Sequence, residues 1–168
     1  MRKLTVCMLA GTLGVLIAAG MAQADLSWSF AQDTLAARAT FGIEGTMLRV
    51  TLTNTSSFPV VRPEEVLTGV YFQMPNVTLT PVRAVLAGES FVWFPKVGTG
   101  VDSSGQIGGE YAYRSDLSGA FGDPSHGISA VGMNNWFGPP DRFPGGDLQP
   151  PASPNGIGYG LISYSDNT

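Results

Sequence analysis

The fold class of this chain is decided by two alternating runs, Ala37-Arg38-Ala39-Thr40-Phe41-Gly42-Ile43 and Met47-Leu48-Arg49-Val50-Thr51-Leu52-Thr53. In each run the apolar side chains occupy every second position, so they share one face of an extended strand. Glu44-Gly45-Thr46 separates the runs and contains the glycine that a tight turn favours. The pattern therefore predicts a β-hairpin with one apolar face and one polar face.

Further short strand candidates follow along the chain, separated by turn residues. They cover residues 67–74, 78–86, 90–94, 110–114 and 156–164. Loops are expected at 96–109, which is rich in glycine and serine, and at 139–154, where proline is too frequent for a regular element. Many short strands with little helix predict an all-β chain, and we expect a single antiparallel β-sandwich or jelly-roll-like domain over residues 25–168.

The first 24 residues have the three parts of a secretion signal. Arg2 and Lys3 supply the basic start, residues 4–20 are uncharged and largely apolar, and Ala22 and Ala24 provide small side chains at the −3 and −1 positions. The apolar run is marginal for a membrane span, which needs about 20 residues. We therefore expect signal peptidase and the secretion machinery to act on this segment, leaving a mature chain without a permanent membrane span.

Charge and cysteine content restrict the partners of the mature chain. The full chain has nine basic and thirteen acidic residues, and removal of residues 1–24 takes away only two basic ones, which leaves a formal charge of −6. Lys96 is then the only lysine. This charge disfavours nucleic acid and anionic membrane surfaces as partners. The only cysteine, Cys7, also lies in the signal, so the domain cannot form an internal disulfide.

Calcium is the one cofactor that the sequence suggests. Asp102 and Asp123 lie in glycine- or proline-rich loops, where carboxylates and backbone carbonyls could bind a calcium ion together. The regular spacing of a calcium loop is absent, however, and aspartate also favours turns for its local hydrogen bonds. Both interpretations stay open, with solvated carboxylates favoured. The single histidine, His126, is interpreted as a polar loop residue, because no nucleophile and orienting group can be assigned to it.

Aromatic residues suggest a second kind of site. Trp136, with Asn134 and Asn135 beside it, is the best candidate for an exposed carbohydrate-stacking platform, whereas aromatic residues with apolar neighbours, such as Trp93, more often belong to a core. A glycosidase would need two carboxylates about 5 to 9 Å apart. The sequence does not pair any two of Glu64, Glu65 and Glu110, so a secreted hydrolase is the least favoured class.

A series of short segments resembles a known family. They are Leu48-Arg49-Val50-Thr51-Leu52-Thr53-Asn54-Thr55, Val66-Leu67-Thr68-Gly69-Val70-Tyr71-Phe72, Gly109-Glu110-Tyr111-Ala112-Tyr113-Arg114, Gly127-Ile128-Ser129-Ala130-Val131-Gly132 and Asn155-Gly156-Ile157-Gly158-Tyr159-Gly160-Leu161. With the preceding signal peptide, they resemble the exosortase-dependent surface proteins of bacteria, whose members usually end in a PEP-CTERM sorting tail. The resemblance implies export to the cell surface or the exopolysaccharide matrix, and it carries no catalytic residues.

One departure from that family concerns the C-terminus. The chain has no Pro-Glu-Pro motif, no apolar C-terminal helix and no terminal arginine cluster. We expect either a fragment that lacks its sorting tail or a secreted variant that exosortase does not process. The leading expectation is therefore a non-enzymatic bacterial surface or matrix protein associated with exopolysaccharide. The alternative is a secreted carbohydrate-binding module, with calcium as its allowed cofactor.

Overall fold

The predicted hairpin forms with the expected pairing. In the computed structural model, which describes residues 25–87, 90–93, 104–117, 119 and 122–163, strand β2 (Leu35–Glu44) pairs antiparallel with β3 (Met47–Asn54). Glu44 lies opposite Met47, so the loop has two residues, and Gly45 takes a φ of +61°. A positive φ at the first loop position alone is typical of a type II′ turn, which matches the twist of the flanking strands.

A strand that the sequence analysis missed precedes this hairpin. Strand β1 (Leu26–Gln32) pairs antiparallel with β2 through all seven of its residues. On the polar face, the Ser27 and Thr40 hydroxyls are hydrogen-bonded at 2.8 Å. The three strands form the N-terminal sheet in the order β1-β2-β3.

The second sheet, called the central sheet here, has the order β4-β6-β5 and is also antiparallel. Its strands are β4 (Gly69–Phe72), β5 (Ala112–Ser115) and β6 (His126–Ser129). The first two lie within or overlap the predicted runs 67–74 and 110–114. The middle strand β6 was not among the predicted strands, and its four residues include a histidine and a glycine and show no clear alternation.

Apolar side chains join the two sheets. Ala39 and Phe41 of the N-terminal sheet pack with Val70 of the central sheet, and the Phe41 ring lies 5.1 Å from the Phe72 ring, edge to face. Trp28 contacts the other side of Phe41 at 5.3 Å. Two further buried clusters lie around the central sheet, one formed by Tyr71, Ala112, Leu117 and Phe137, the other by Val92, Ile107, Tyr111, Ala130 and Tyr159.

Three predicted strands are wrong or reduced to single bridges. Residues 78–86 contain only the bridge from Val85 to Gln106, since Pro81 lacks the N–H that a ladder needs. In the run 90–94, Val92 forms one bridge, and residue 94 lies outside the described part. Within 156–163, Leu161 alone is bridged, on one side to Leu67 and on the other to Val92, and the alternating glycines leave little side chain to extend a strand.

The described residues contain no α-helix, so the all-β prediction is confirmed at the level of fold class. Three short 3-10 turns occur, at Pro63–Glu65, Gly108–Glu110 and Pro139–Asp141. The last of them is the only regular element in the predicted loop at 139–154. Among these residues there is also no helix of the length and apolarity that a membrane crossing requires.

Candidate functional site

The predicted aromatic site lies on a tight turn beside the central sheet. Met133, Asn134 and Asn135 have φ values of +46°, +59° and +69°, three consecutive residues in the left-handed region. Asparagine tolerates this conformation better than most residues. The turn is closed by the Phe137 N–H, which donates to the Gly132 carbonyl at 3.1 Å. It exposes both asparagines and leaves Trp136 half-buried, so the three predicted site residues are brought together.

Arg114 of β5 holds the Trp136 side of this turn. Its guanidinium donates to the Trp136 carbonyl at 2.8 Å and lies 5.8 Å from the centroid of the indole ring, a cation–π distance. The indole also packs against the buried cluster that contains Phe137. Trp136 is therefore fixed in place, and the exposed polar groups next to it are the Asn134 and Asn135 amides.

Of the two calcium candidates, only Asp123 lies in the described part of the chain. Asp123 lies on a turn with a φ of +59°, where its carboxylate accepts the Gly119 N–H and its carbonyl accepts the Gln73 side-chain amide. The first of these contacts is local to the turn, and the second connects it to Gln73, which follows β4. Asp102 lies outside the described residues, as do the cleavage-site residues Ala22 and Ala24. Within the described part of the chain, no three histidine, cysteine or acidic side chains gather closely enough to hold a metal ion.

Glu110 is the most deeply buried carboxylate among the described residues, with 2% of its surface exposed. Its Oε1 accepts the backbone N–H groups of Leu148, at 2.6 Å, and Gln149, at 3.1 Å, while Oε2 accepts the Ser153 hydroxyl at 2.5 Å. These donors belong to the proline-rich loop at 139–154. Glu110 therefore anchors that loop beside the central sheet. Both of its carboxylate oxygens accept hydrogen bonds from donors within the protein.

The other acidic candidates are also held in structural contacts. Glu65 accepts the N–H groups of Val61 and Arg62 at 2.8 and 3.1 Å, and the Arg62 guanidinium at 2.9 Å. The Val61 N–H is the largest influence on this carboxyl, and together with Arg62 it lowers the pKa of Glu65 below its ordinary value despite some desolvation. Glu64 is exposed and lies 3.7 Å from the same arginine. Glu64 and Glu65 thus share one cation.

His126 is buried in β6, so its interpretation as a polar loop residue is wrong. Its Nε2 is 3.1 Å from the Met74 carbonyl, and the Tyr113 hydroxyl lies 2.7 Å from Nδ1. Since the carbonyl can only accept, Nε2 donates to it, and in a neutral ring Nδ1 is then the acceptor for the tyrosine hydroxyl. The ring is stacked between Phe72, at 5.3 Å, and Tyr113, at 6.0 Å. Burial raises the pKa of the Tyr113 hydroxyl, so it remains a proton donor.

Two of these contacts were not predictable as pairs. Arg114 and Trp136 are 22 residues apart, and Tyr113 and His126 are 13 apart, on separate strands. The tyrosine–histidine contact requires the pairing of β5 with β6, and β6 itself was not recognised. By contrast, the alternation of Leu26, Trp28 and Phe30 was a signal for β1 that the sequence contained.

A comparison of this chain with known protein families, characterised proteins and solved structures gives no match.

Proposed function

We propose that this chain is an exported, non-enzymatic protein of a bacterial surface or extracellular matrix, in which the two sheets form a β-sandwich. The sandwich is supported by the apolar cluster that joins Phe41 of one sheet to Val70 and Phe72 of the other. Export is supported by the signal pattern of residues 1–24 and by the resemblance to exosortase-dependent surface proteins.

The observation that carries the non-enzymatic role is the burial of two candidate acid–base groups, His126 and Glu110. A general base must reach the proton that it removes. His126 and Glu110 are each 2% exposed, and their ring nitrogens and carboxylate oxygens are engaged by internal partners. These groups stabilise the fold through hydrogen bonds inside the protein.

Association with exopolysaccharide is supported by the outer face of the N-terminal sheet. This face is exposed and carries hydroxyl groups together with one arginine in the middle strand, at positions Ser27, Ser29, Arg38, Thr51 and Thr53. Hydroxyl and guanidinium groups can form hydrogen bonds with polysaccharide hydroxyls and carboxylates. Arg49 on this face is paired with Asp25 and Glu44, whereas Arg38 has no ion pair among the described residues.

The proposal is tested by fractionation and by binding in parallel. We expect the full chain, expressed in a bacterium with exosortase-type surface proteins, to appear outside the cytoplasm and to co-sediment with isolated exopolysaccharide. Arg38→Ala together with Thr51→Ala should reduce co-sedimentation, whereas Val82→Ala, an exposed change elsewhere, should not. Cytoplasmic retention, or hydrolysis of a panel of glycans and esters by the purified chain, would overturn the proposal.

A carbohydrate-binding module is the second candidate, and the Trp136 turn favours it. The turn presents the exposed amides of Asn134 and Asn135 next to an indole that Arg114 holds in position. Aromatic rings flanked by amides suit sugars, since the ring contacts C–H groups and the amides bind hydroxyls.

A glycan array separates this candidate from the first. Replacement of Asn134 and Asn135 by glycine removes both amides and keeps the left-handed backbone accessible. If the turn binds sugar, array binding falls in this double variant at unchanged thermal stability, and it falls in Trp136→Phe as well, with and without added calcium. Binding that persists in both variants contradicts the module.

A further inference from the structure

Strand β1 has one edge without a partner strand among the residues that the structure describes. β1 pairs with β2 on one side, and no described strand or isolated bridge lies on the other. In an antiparallel ladder, alternate residues of an edge strand direct their N–H and C=O groups away from the sheet. Such a row of groups is a template for pairing with another strand.

Nothing in β1 itself blocks such pairing. Residues 26–32 contain no proline and no charged side chain, and the strand follows β2 residue by residue without a bulge. Natural edge strands usually carry at least one of these protections. β3, at the opposite edge of the same sheet, differs: Arg49 lies in its middle and pairs with Asp25 and Glu44, and Asn54 at its end reaches the Leu161 carbonyl.

The side chains of β1 also leave apolar surface open at this edge. Leu26 is 37% exposed, and Trp28 and Phe30, on the same face, are only half-buried. A further strand on the edge would extend the sheet and cover these three side chains.

We propose that β1 mediates self-association, in which two copies of this chain pair antiparallel along residues 26–32 about a two-fold axis at Ser29. The paired β1 strands join the two N-terminal sheets into one continuous six-stranded sheet. This inference goes beyond the proposed function and does not depend on it.

The sequence of β1 is complementary to itself in this register. Trp28 lies opposite Phe30 of the partner copy, and this aromatic cross-strand pair occurs twice by symmetry. In this register even-numbered residues lie opposite even-numbered ones, and odd-numbered opposite odd-numbered. The apolar faces of both strands therefore point to the same side of the sheet. The strand is uncharged, so no like charges meet within it. Of the flanking aspartates, Asp25 is already paired with Arg49 at 3.0 Å.

A two-fold pairing uses the same edge on both copies, so it closes at two and does not propagate. The assembly that we expect is therefore a dimer. Its interface is one strand wide and belongs to the small, weakly binding class, so it forms at high protein concentration.

Light scattering coupled to size-exclusion chromatography tests the dimer on the purified full chain at about 100 μM, where small interfaces are populated. The wild-type chain should have twice the monomer mass. Ser29→Lys places two lysines opposite each other at the axis and should give a monomer with unchanged circular dichroism and melting temperature, because position 29 is exposed in the single copy. Thr51→Lys, the same change on the same face of β3, should remain dimeric.

A cysteine variant tests the register independently. In a Cys7→Ser background, Ser29→Cys should form an intermolecular disulfide under mild oxidation, since directly opposed residues in an antiparallel pair have Cα atoms within disulfide range. Thr51→Cys is the matched control and should stay largely uncrosslinked. A monomeric wild type, a dimer insensitive to Ser29→Lys, or equal crosslinking of both cysteine variants would each overturn the proposal.

Discussion

Two buried polar side chains, Glu110 and His126, hold segments without regular structure in place. Glu110, at the end of the 3-10 turn that precedes β5, binds the proline-rich loop at 139–154, and His126 in β6 connects Tyr113 to the Met74 carbonyl. A loop with six prolines has few backbone N–H groups to pair within itself. Specific acceptors from the core must therefore fix its path, and a carboxylate is the strongest acceptor available.

The first prediction concerns Glu110. Glu110→Gln leaves an amide oxygen, a weaker acceptor than a carboxylate, for the Leu148 and Gln149 N–H groups, and puts an NH₂ where the Ser153 hydroxyl now donates. We expect a loss of about 2 to 3 kcal/mol in the free energy of unfolding, measured by urea denaturation. Glu64→Gln, the same change at an exposed site, should stay within about 0.5 kcal/mol. Equal effects of the two changes would contradict the structural role of Glu110.

The second prediction concerns Glu65 and the dependence of the free energy of unfolding on pH. Its pKa is lowered in the folded protein from an ordinary value of 4.5, first by the Val61 N–H and then by Arg62. The unfolded state therefore binds the proton more readily, and the stabilisation is present above pH 4.5 and is lost as pH falls through the folded pKa. We expect Glu65→Gln to be less stable than wild type at neutral pH and to lose less stability between about pH 5 and about pH 3.

Thermal unfolding across that range checks the prediction, with Glu64→Gln as the control, because Glu64 lies beside the same arginine but accepts none of the backbone donors described for Glu65. If the acid-induced loss of stability is as steep in Glu65→Gln as in wild type, Glu65 is not the carboxyl responsible.

At the scale of elements, the β2–β3 hairpin is the unit most completely specified by local sequence. Its alternation sets which residues face the core, and its two-residue turn sets the register, since a slip by one residue would turn Phe41 and Val50 to solvent. Gly45 is the residue on which the turn depends. It has a φ of +61°, and no atom lies within 4 Å of the position that a Cβ would take.

Gly45→Ala consequently isolates backbone strain from steric overlap. We expect the free energy of unfolding to fall by about 1 kcal/mol, because an L-residue in the left-handed region carries a penalty of that order. Gly146→Ala is the matched control, since its Cβ would also meet no atom but its φ is not in that region, and it should be nearly neutral. A loss at position 146 as large as that at 45 would contradict the turn assignment.

The elements that the sequence analysis missed are those whose pairing is not local. Strand β6 has four residues and lies between β4 and β5, with partners more than 50 residues upstream in β4. Its glycine, Gly127, leaves space that Leu117, Phe137 and Tyr71 fill, which no alternation rule detects. Residues 156–163 alternate well but contribute only Leu161 to bridges, because the Gly160 N–H donates to the Ile157 carbonyl and makes a turn there. Tertiary packing decided the first outcome, and this turn decided the second.

The candidate site was predictable only where it depends on local sequence. Asn134, Asn135 and Trp136 are adjacent in sequence, so the turn that joins them is a local feature. The Arg114 contact with Trp136 and the Glu110 contacts with residues 148–153 depend on the assembled central sheet. Burial of His126 also depends on it, and sequence alone favoured the opposite interpretation.

At the scale of the whole molecule, the central sheet connects the buried clusters. Consecutive residues of β4 point to opposite faces, so Val70 enters the cluster shared with the N-terminal sheet and Tyr71 enters the cluster near the Trp136 turn. Ile128 of β6 contacts the first of these and also the cluster around Tyr111 and Tyr159. Loss of packing in one cluster therefore disturbs a strand that also contributes side chains to another cluster.

This shared packing predicts a single cooperative unfolding transition, which two tryptophans can report separately. Trp28 packs on Phe41 in the N-terminal sheet, and Trp136 packs beside Phe137 at the far cluster. In variants that keep only one of these tryptophans, with phenylalanine at the other two tryptophan positions, urea midpoints from fluorescence should coincide with each other and with circular dichroism.

Ile128→Ala then tests the connection directly, because it removes a side chain that contacts two clusters. We expect both tryptophans to report the same loss, about 2 to 4 kcal/mol, since truncating a large aliphatic core residue costs that much. Val82→Ala, at a position 58% exposed, should move neither midpoint. If Ile128→Ala shifted the Trp28 transition and left that of Trp136 in place, the two sheets would unfold as separate units, and β4 and β6 would not join them into one.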